Sequence, residues 1–152
     1  MEHAYRQQGF SEAPASFTFP AQWQGNSVSS HSALQRIETV REGLPIATVD
    51  ELLETGRLTA VELDRLVLPR KTLAHRRTMG RLSPEQSDRL LRIVRVLDAA
   101  DQTFVSSGKA MLWLRRPTAP LGGHAPIDLL DTDIGTREVE RLLARIAHGI
   151  AA

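Results

Sequence analysis

The stretch "TAVELDRLVLPRKTLAHRRT" (residues 59–78) reads as two short helices joined by a tight turn. Thr59 and Glu62 have the spacing of a capping box, and Val61, Leu63, Leu66 and Val67 give the first helix an apolar face. On the second helix, which follows Pro69, Leu73 is the inward residue and Arg70, Lys71, Thr72, His75, Arg76 and Arg77 are left outside. No acid accompanies them between Leu68 and Gly80, although the whole chain has a formal net charge of only +1. Like charges one helical turn apart repel by a few tenths of a kcal/mol. An external anion is the natural partner for such a face. Two short helices with a tight turn form a helix-turn-helix, whose second helix enters the major groove of DNA. Arg70, Lys71 and Thr72, near the start of that helix, are expected at base edges and nearby phosphates, and Arg76 and Arg77 at phosphates further along. Such turns commonly contain glycine; here Val67, Leu68 and Pro69 occupy it, so the turn is expected to be built differently.

The pattern on both sides is helical. "HSALQRIETVREG" (31–43) spaces Leu34, Ile37 and Val40 three apart and is stopped by Gly43 and Pro45. "TVDELLETG" (48–56) is a short helix with Thr48 as N-cap, Glu51 completing a capping box, and Gly56 at its end. After Gly80, Ser83, Pro84 and Gln86 mark a strong helix start, and Leu90, Ile93, Val94, Leu97, Ala100 and Phe104 form one stripe along it. This helix is the expected spine. "KAMLWLRRP" (109–117) is a further short helix, and "TAPLGGHAPIDLL" (118–130) a Pro/Gly loop leading into one helical turn. "TREVERLLARIAHG" (136–149) closes the pattern with Val139, Leu142, Leu143 and Ile146 inward and Gly149 as cap. From residue 31 on, no long alternating strand pattern and no internal repeat occurs. The expected fold is all-α, a small helical bundle. It divides into a flexible arm (1–30), a helix-turn-helix region (31–82) and a helical C-terminal domain (83–152). The arm is rich in Gln, Ser, Ala and Pro. Yet it holds Tyr5, Phe10, Phe17, Phe19 and Trp23, five of the chain's seven aromatic residues, which leaves open that "SFTFPAQW" docks on the body or on a second subunit.

Several classes of function are excluded or disfavoured. There is no cysteine, so disulfides and thiolate metal sites are ruled out. No basic segment followed by an apolar run opens the chain, and no stretch approaches the roughly 18 apolar residues of a membrane span. A soluble, cytoplasmic protein is expected. A sequence pI of 8.3 points to a local basic patch rather than a wholly basic protein. His3, His31, His75, His124 and His148 form no metal motif, and Asp128, Asp131 and Asp133 lack the spacing of a calcium loop. "LGGH" lacks the lysine of a phosphate loop, and nothing proposes a catalytic triad. No enzyme activity, cofactor or metal is expected.

"TLAHRRTMGRLSPEQSDRLLRI", "AMLWLRRPTAPLGGHAPIDLLDTDIG" and "VERLLARIAHG" together resemble the Xre/MbcA/ParS-like antitoxins of bacterial type II toxin–antitoxin pairs, over residues 44–149. The resemblance implies an Xre-like helix-turn-helix that binds the promoter of its own operon, and a C-terminal domain that binds the toxin. The toxin it implies is a RES-domain protein that attacks NAD, whose active site the antitoxin blocks without catalysing anything. Trp113, Leu114, Leu121, Gly122, Gly123, Pro126, Leu129, Leu130, Gly135 and Gly149 match the family pattern in that domain. The toxin is expected to meet the loop Leu121, Gly122, Gly123 and His124, and the chain end, Arg145, His148, Gly149, Ile150, Ala151 and Ala152. There the Ala152 carboxylate would suit a cleft built for the pyrophosphate of NAD, with Arg145 and His148 at its rim. A homodimer is expected, because helix-turn-helix proteins usually read paired half-sites. The alternative is a helical adaptor that binds protein only, through its long and last helices.

Overall fold

The computed structural model describes residues 32–149. The expected arm and the chain end Ile150–Ala152 lie outside them. Seven α-helices follow in order: α1 Ala33–Glu42, α2 Ile46–Glu54, α3 Ala60–Leu66, α4 Arg70–Met79, α5 Pro84–Phe104, α6 Ser107–Arg115 and α7 Asp133–Ala147. Two 3-10 turns, Ala119–Leu121 and Pro126–Leu129, link α6 to α7. Among the described residues the only extended pairing is a single antiparallel bridge between Pro45 and Arg81. The fold is all-α.

Local chemistry explains most helix starts. Ser32, Thr59 and Ser83 each cap their helix, accepting from the amides of Gln35, Glu62 and Gln86 and donating their own amides to the side chains of those residues, which satisfies two orphan amides per helix. The start of α2 differs from the expected one. Thr48 is no N-cap: α2 begins two residues earlier, behind Pro45, and Thr48 is buried. The first amides of α2 find backbone acceptors instead of a side-chain cap, Ile46 donating to the Gly80 carbonyl at 3.0 Å and Thr48 to the Pro45 carbonyl at 3.0 Å. Val61 is a second correction. It is 69% exposed on the outer side of α3, and only Leu63 and Leu66 of that helix are buried.

The spine is α5, 21 residues long. To the expected stripe it adds Leu91 and Val96, so its apolar surface spreads well beyond one face. Helices α1, α6 and α7 all pack against it. At its N-terminal end the link between α1 and α2 crosses the link between α4 and α5. Gly43 has φ 86°, and a Cβ there would lie 2.3 Å from the Leu82 carbonyl oxygen. Leu44, wholly buried, donates its amide to the Ser87 hydroxyl at 2.8 Å and accepts from the Leu82 amide at 2.9 Å. Arg81 donates to the Gly43 carbonyl at 2.7 Å. Replacing Gly43 with Ala forces both a strained backbone and a clash with an immobile carbonyl. The expected loss is about 2 kcal/mol or more in a urea titration, with the fold retained at low temperature.

Candidate nucleic-acid and toxin interfaces

The turn between α3 and α4 contains no left-handed residue. Val67 ends α3 at φ −119°, and the amides of Val67 and Leu68 both donate to the Leu63 carbonyl, at 2.9 and 3.2 Å. Leu66, Val67 and Leu68 are all buried. A turn closed this way needs an apolar plug rather than glycine, which is what the sequence carries. Pro69 has no side chain to cap α4, and Asp64 does so instead, accepting from the Arg70 amide at 2.8 Å.

Leu73 is the one buried residue of α4. Around the helix from it, Arg70, Lys71, Ala74, His75 and Thr78 form a continuous exposed face. Arg70, Lys71 and His75 make no ion pair among the described residues. The other three expected DNA residues sit differently. Thr72 and Arg76 are half-buried at the flanks, and Arg77 is tied to Asp50 of α2 at 2.8 Å. Any phosphate contact by Arg77 competes with that carboxylate. Ala74 lies between the cations, and its small side chain leaves the helix backbone open to close approach. It was legible in principle, four residues after Arg70 on the same face.

The C-terminal part is bound to this unit by ion pairs. Arg57, before α3, grips Asp101 of α5 through two bonds of 2.8 and 2.7 Å, and Arg65 of α3 reaches Asp128 at 2.6 Å. Arg115 of α6 donates to both oxygens of Glu62, at 2.8 and 3.0 Å. The same carboxylate accepts from the Thr59 amide at 2.8 Å, so the residue that caps α3 also holds α6. Burial alone would raise the Glu62 pKa, but the bonds from Arg115 and Thr59 outweigh it and hold the carboxyl below its ordinary value.

Those expected toxin-contact residues that the structure describes fall on two neighbouring elements. Gly122 and Gly123 are consecutive left-handed residues at φ 65° and 82°, a path that side chains beyond glycine enter only with strain. The loop closes on itself, with Thr118 donating to the His124 carbonyl at 3.1 Å and Gly123 to the Thr118 carbonyl at 3.0 Å. Gly122, Gly123 and His124 are exposed, while Leu121 anchors the loop against the core. The 3-10 turn carrying Leu121 packs on α7, the helix that carries Arg145. Arg145, His148 and Gly149 are exposed at the end of that helix, Gly149 at φ 68°. Trp113 and Leu130 belong to the body: Trp113 stacks at a tilt on Phe104, ring centres 5.4 Å apart, and Leu130 is buried. Gly135 is also structural, since a Cβ there would lie 2.0 Å from the Leu129 carbonyl oxygen.

Comparison with known proteins supplies the identity. Residues 35–95 match the antitoxin Xre-like helix-turn-helix domain, and residues 99–149 the antitoxin Xre/MbcA/ParS C-terminal toxin-binding domain. The chain belongs to the Xre/MbcA/ParS antitoxin family. It is similar to the antitoxin Xre of Yersinia enterocolitica, 32% identical over 133 residues, which cover 86% of this chain and 90% of that one. It is 35% identical over 111 residues to the antitoxin Xre of Pseudomonas putida, covering 72% and 69% of the two chains. A relative from Sphingobium sp., named Prs ADP-ribosylating antitoxin, is 30% identical over 132 residues, covering 80% and 83%. This antitoxin therefore carries a helix-turn-helix and a toxin-binding domain. Among its described residues no helix is long and apolar enough to cross a membrane, and no cluster of acids and histidines could hold a metal ion.

Within the toxin-binding stretch, sequence reasoning missed three exposed apolar residues of this antitoxin. Val105 caps α5 at φ 58° and is 91% exposed, Leu112 of α6 is 74% exposed and Ile134 of α7 is 76% exposed. An apolar residue left outside by tertiary packing has no signature in a local pattern. The Glu62 carboxylate gives a stability test. A carboxyl with a lowered pKa stabilises the fold above its unfolded value, ordinarily 4.5, and that stabilisation is lost as pH falls through the folded value. Arg115 is 36% exposed, so screening keeps the pair modest. Glu62→Gln should cost about 1 kcal/mol at neutral pH, and the difference from wild type should shrink as urea titrations are taken below the ordinary carboxylate range.

Proposed function

We propose that this antitoxin neutralises a RES-domain, NAD-degrading toxin by covering its active site, and represses its own operon as a homodimer on paired half-sites. It acts by binding, in the cytoplasm, with no catalysis and no cofactor. Residues 31–82 read DNA and residues 83–152 hold the toxin. The observation that carries the DNA half is the open face of α4, where Arg70, Lys71 and His75 stand beside Ala74 without acidic partners among the described residues. A rigid helix with unpaired cations and a small residue between them fits the major groove. Arg70 and Lys71 supply base-edge and phosphate contacts near the helix start, with Thr72 and His75 beside them and Arg76 and Arg77 toward phosphates.

For the toxin half, the Leu121–His124 loop and the end of α7 form the inhibitory surface. Its target is the toxin cleft that receives the pyrophosphate of NAD. Gly149 turns the chain out of α7, so that Ile150, Ala151 and Ala152 enter the cleft while Arg145 and His148 meet acids at its rim. The relative named as an ADP-ribosylating antitoxin is compatible with a partner that consumes NAD, since ADP-ribose transfer draws on the same dinucleotide.

Two variants test the halves separately. Replacing Arg70 and Lys71 together with Ala should weaken binding to the operon's promoter by about 1–3 kcal/mol in a gel-shift titration, with toxin neutralisation intact. Unchanged promoter affinity would refute the role given to α4. Deleting residues 149–152 should leave folding and DNA binding intact while NAD loss by the co-expressed toxin returns. Full silencing by the truncated chain would move the plug to the 121–126 loop.

A further inference from the structure

A groove of about 320 Å³ runs between α1 and α5, floored by Ile37, Val40 and Leu91. It is built as though something covered it. Helix α1 has ten residues and none is buried; Leu34 is 72% exposed and Ile37 43%. A helix this short is marginal by itself in water and depends on its apolar face being packed. The rim carries Arg36, Arg41, Arg92 and Arg95, of which Arg92 meets Asp88 and Asp133, and Arg95 meets Glu140.

Thirty-one residues precede Ser32, the cap of α1, and the chain enters α1 at Ala33, which itself lines the groove. Within them, "SFTFPAQW" (16–23) alternates strictly: Phe17, Phe19, Ala21 and Trp23 are apolar, and Ser16, Thr18, Pro20 and Gln22 are not. In an extended chain such alternation puts Phe17, Phe19, Ala21 and Trp23 on one side. Pro20 opposes a helix there. Residues 24–31 can reach roughly 26–29 Å when extended. Helix α1 is only about 15 Å long. They suffice to turn the chain back, and Gly25 and Asn26 are turn formers placed to do it.

We propose that residues 16–23 of this same chain lie extended in the α1–α5 groove, with Phe19 and Trp23 on its apolar floor and their ring faces against the arginine rim. The segment carries no charge, and guanidinium groups stack favourably on aromatic faces. A second copy is a poorer occupant. A twofold arrangement of two such grooves would set one arginine rim against another and bring no aromatic side chain to the floor, whereas the tethered 16–23 segment brings Phe19 and Trp23.

The test uses the full chain with Trp113→Phe, so that Trp23 is the only tryptophan. Its emission should be blue-shifted and shielded from acrylamide relative to the unfolded chain, and both effects should persist on dilution. Ile37→Asp, a surface substitution whose effect on helix content is checked by circular dichroism, should expose it. Phe19→Ser, which leaves the groove untouched, should expose it as well. A solvent-exposed Trp23 in the starting protein overturns the proposal. So does shielding that survives Ile37→Asp, and so does shielding lost on dilution, which assigns the groove to a second copy.

Discussion

The bond from the Leu44 amide to the Ser87 hydroxyl, 2.8 Å long and out of reach of solvent, ties the N-terminal helices to the spine. A buried amide left without an acceptor costs on the order of 1–3 kcal/mol, so the crossing of the two links works only with a small hydroxyl at this point of α5. Around it Gly43 admits the Leu82 carbonyl and Gly80 offers its own carbonyl to Ile46. The result reaches the second helix of the helix-turn-helix. Helix α4 is fixed at its start by Asp64 and at its end by the strand-like clasp of residues 44–46 and 80–82. Its angle to the rest of the protein is set at both ends rather than by one buried leucine.

Arginine does two kinds of work in this molecule. Arg57, Arg65, Arg95 and Arg115 each meet a carboxylate on a distant element, joining helices that sequence separates by dozens of residues. Arg70 and Lys71 are left facing outward instead. Planar, always-charged guanidinium groups suit the first task because they hold both carboxylate oxygens at once, as Arg57 and Arg115 do. Internal pairing thus consumes much of the chain's positive charge, and Arg70 and Lys71 stay outside it. A nearly neutral protein can keep a local positive face in this way.

Local rules and tertiary outcomes divide what the sequence discloses. Ser83, Pro84 and Gln86 announce α5 because a capping box is a short-range device, and the stripe from Leu90 to Ala100 is buried as its period requires. Leu73 marks the inner side of α4, from which the outer face follows by helical geometry. Thr48 looks like a cap and is not one, because the Gly80 carbonyl reaches α2 first across the clasp. Val61 looks like core, but α3 is only seven residues long and buries just two leucines. The engagement of Arg77 by Asp50, 27 residues away, follows from the packing of α2 beside α4, and no local pattern encodes it. The C-terminal helix follows from its own period, whereas the role given to the LGG loop rests on family likeness, since two adjacent glycines carry little chemistry by themselves.

The two domains matched to known antitoxins meet near residues 95 and 99, in the middle of α5, a helix that continues unbroken from Pro84 to Phe104. The boundary falls beside Val96 and Leu97, among the most deeply buried side chains of the molecule. No flexible hinge separates the helix-turn-helix domain from the toxin-binding domain; they share one rod. Inserting one residue at the join would swing one part around the axis of that rod by about 100° relative to the other. Evolution can therefore exchange toxin-binding partners within this architecture only by swaps that preserve helical phase, and insertions of a single residue at the seam are the changes it should tolerate least.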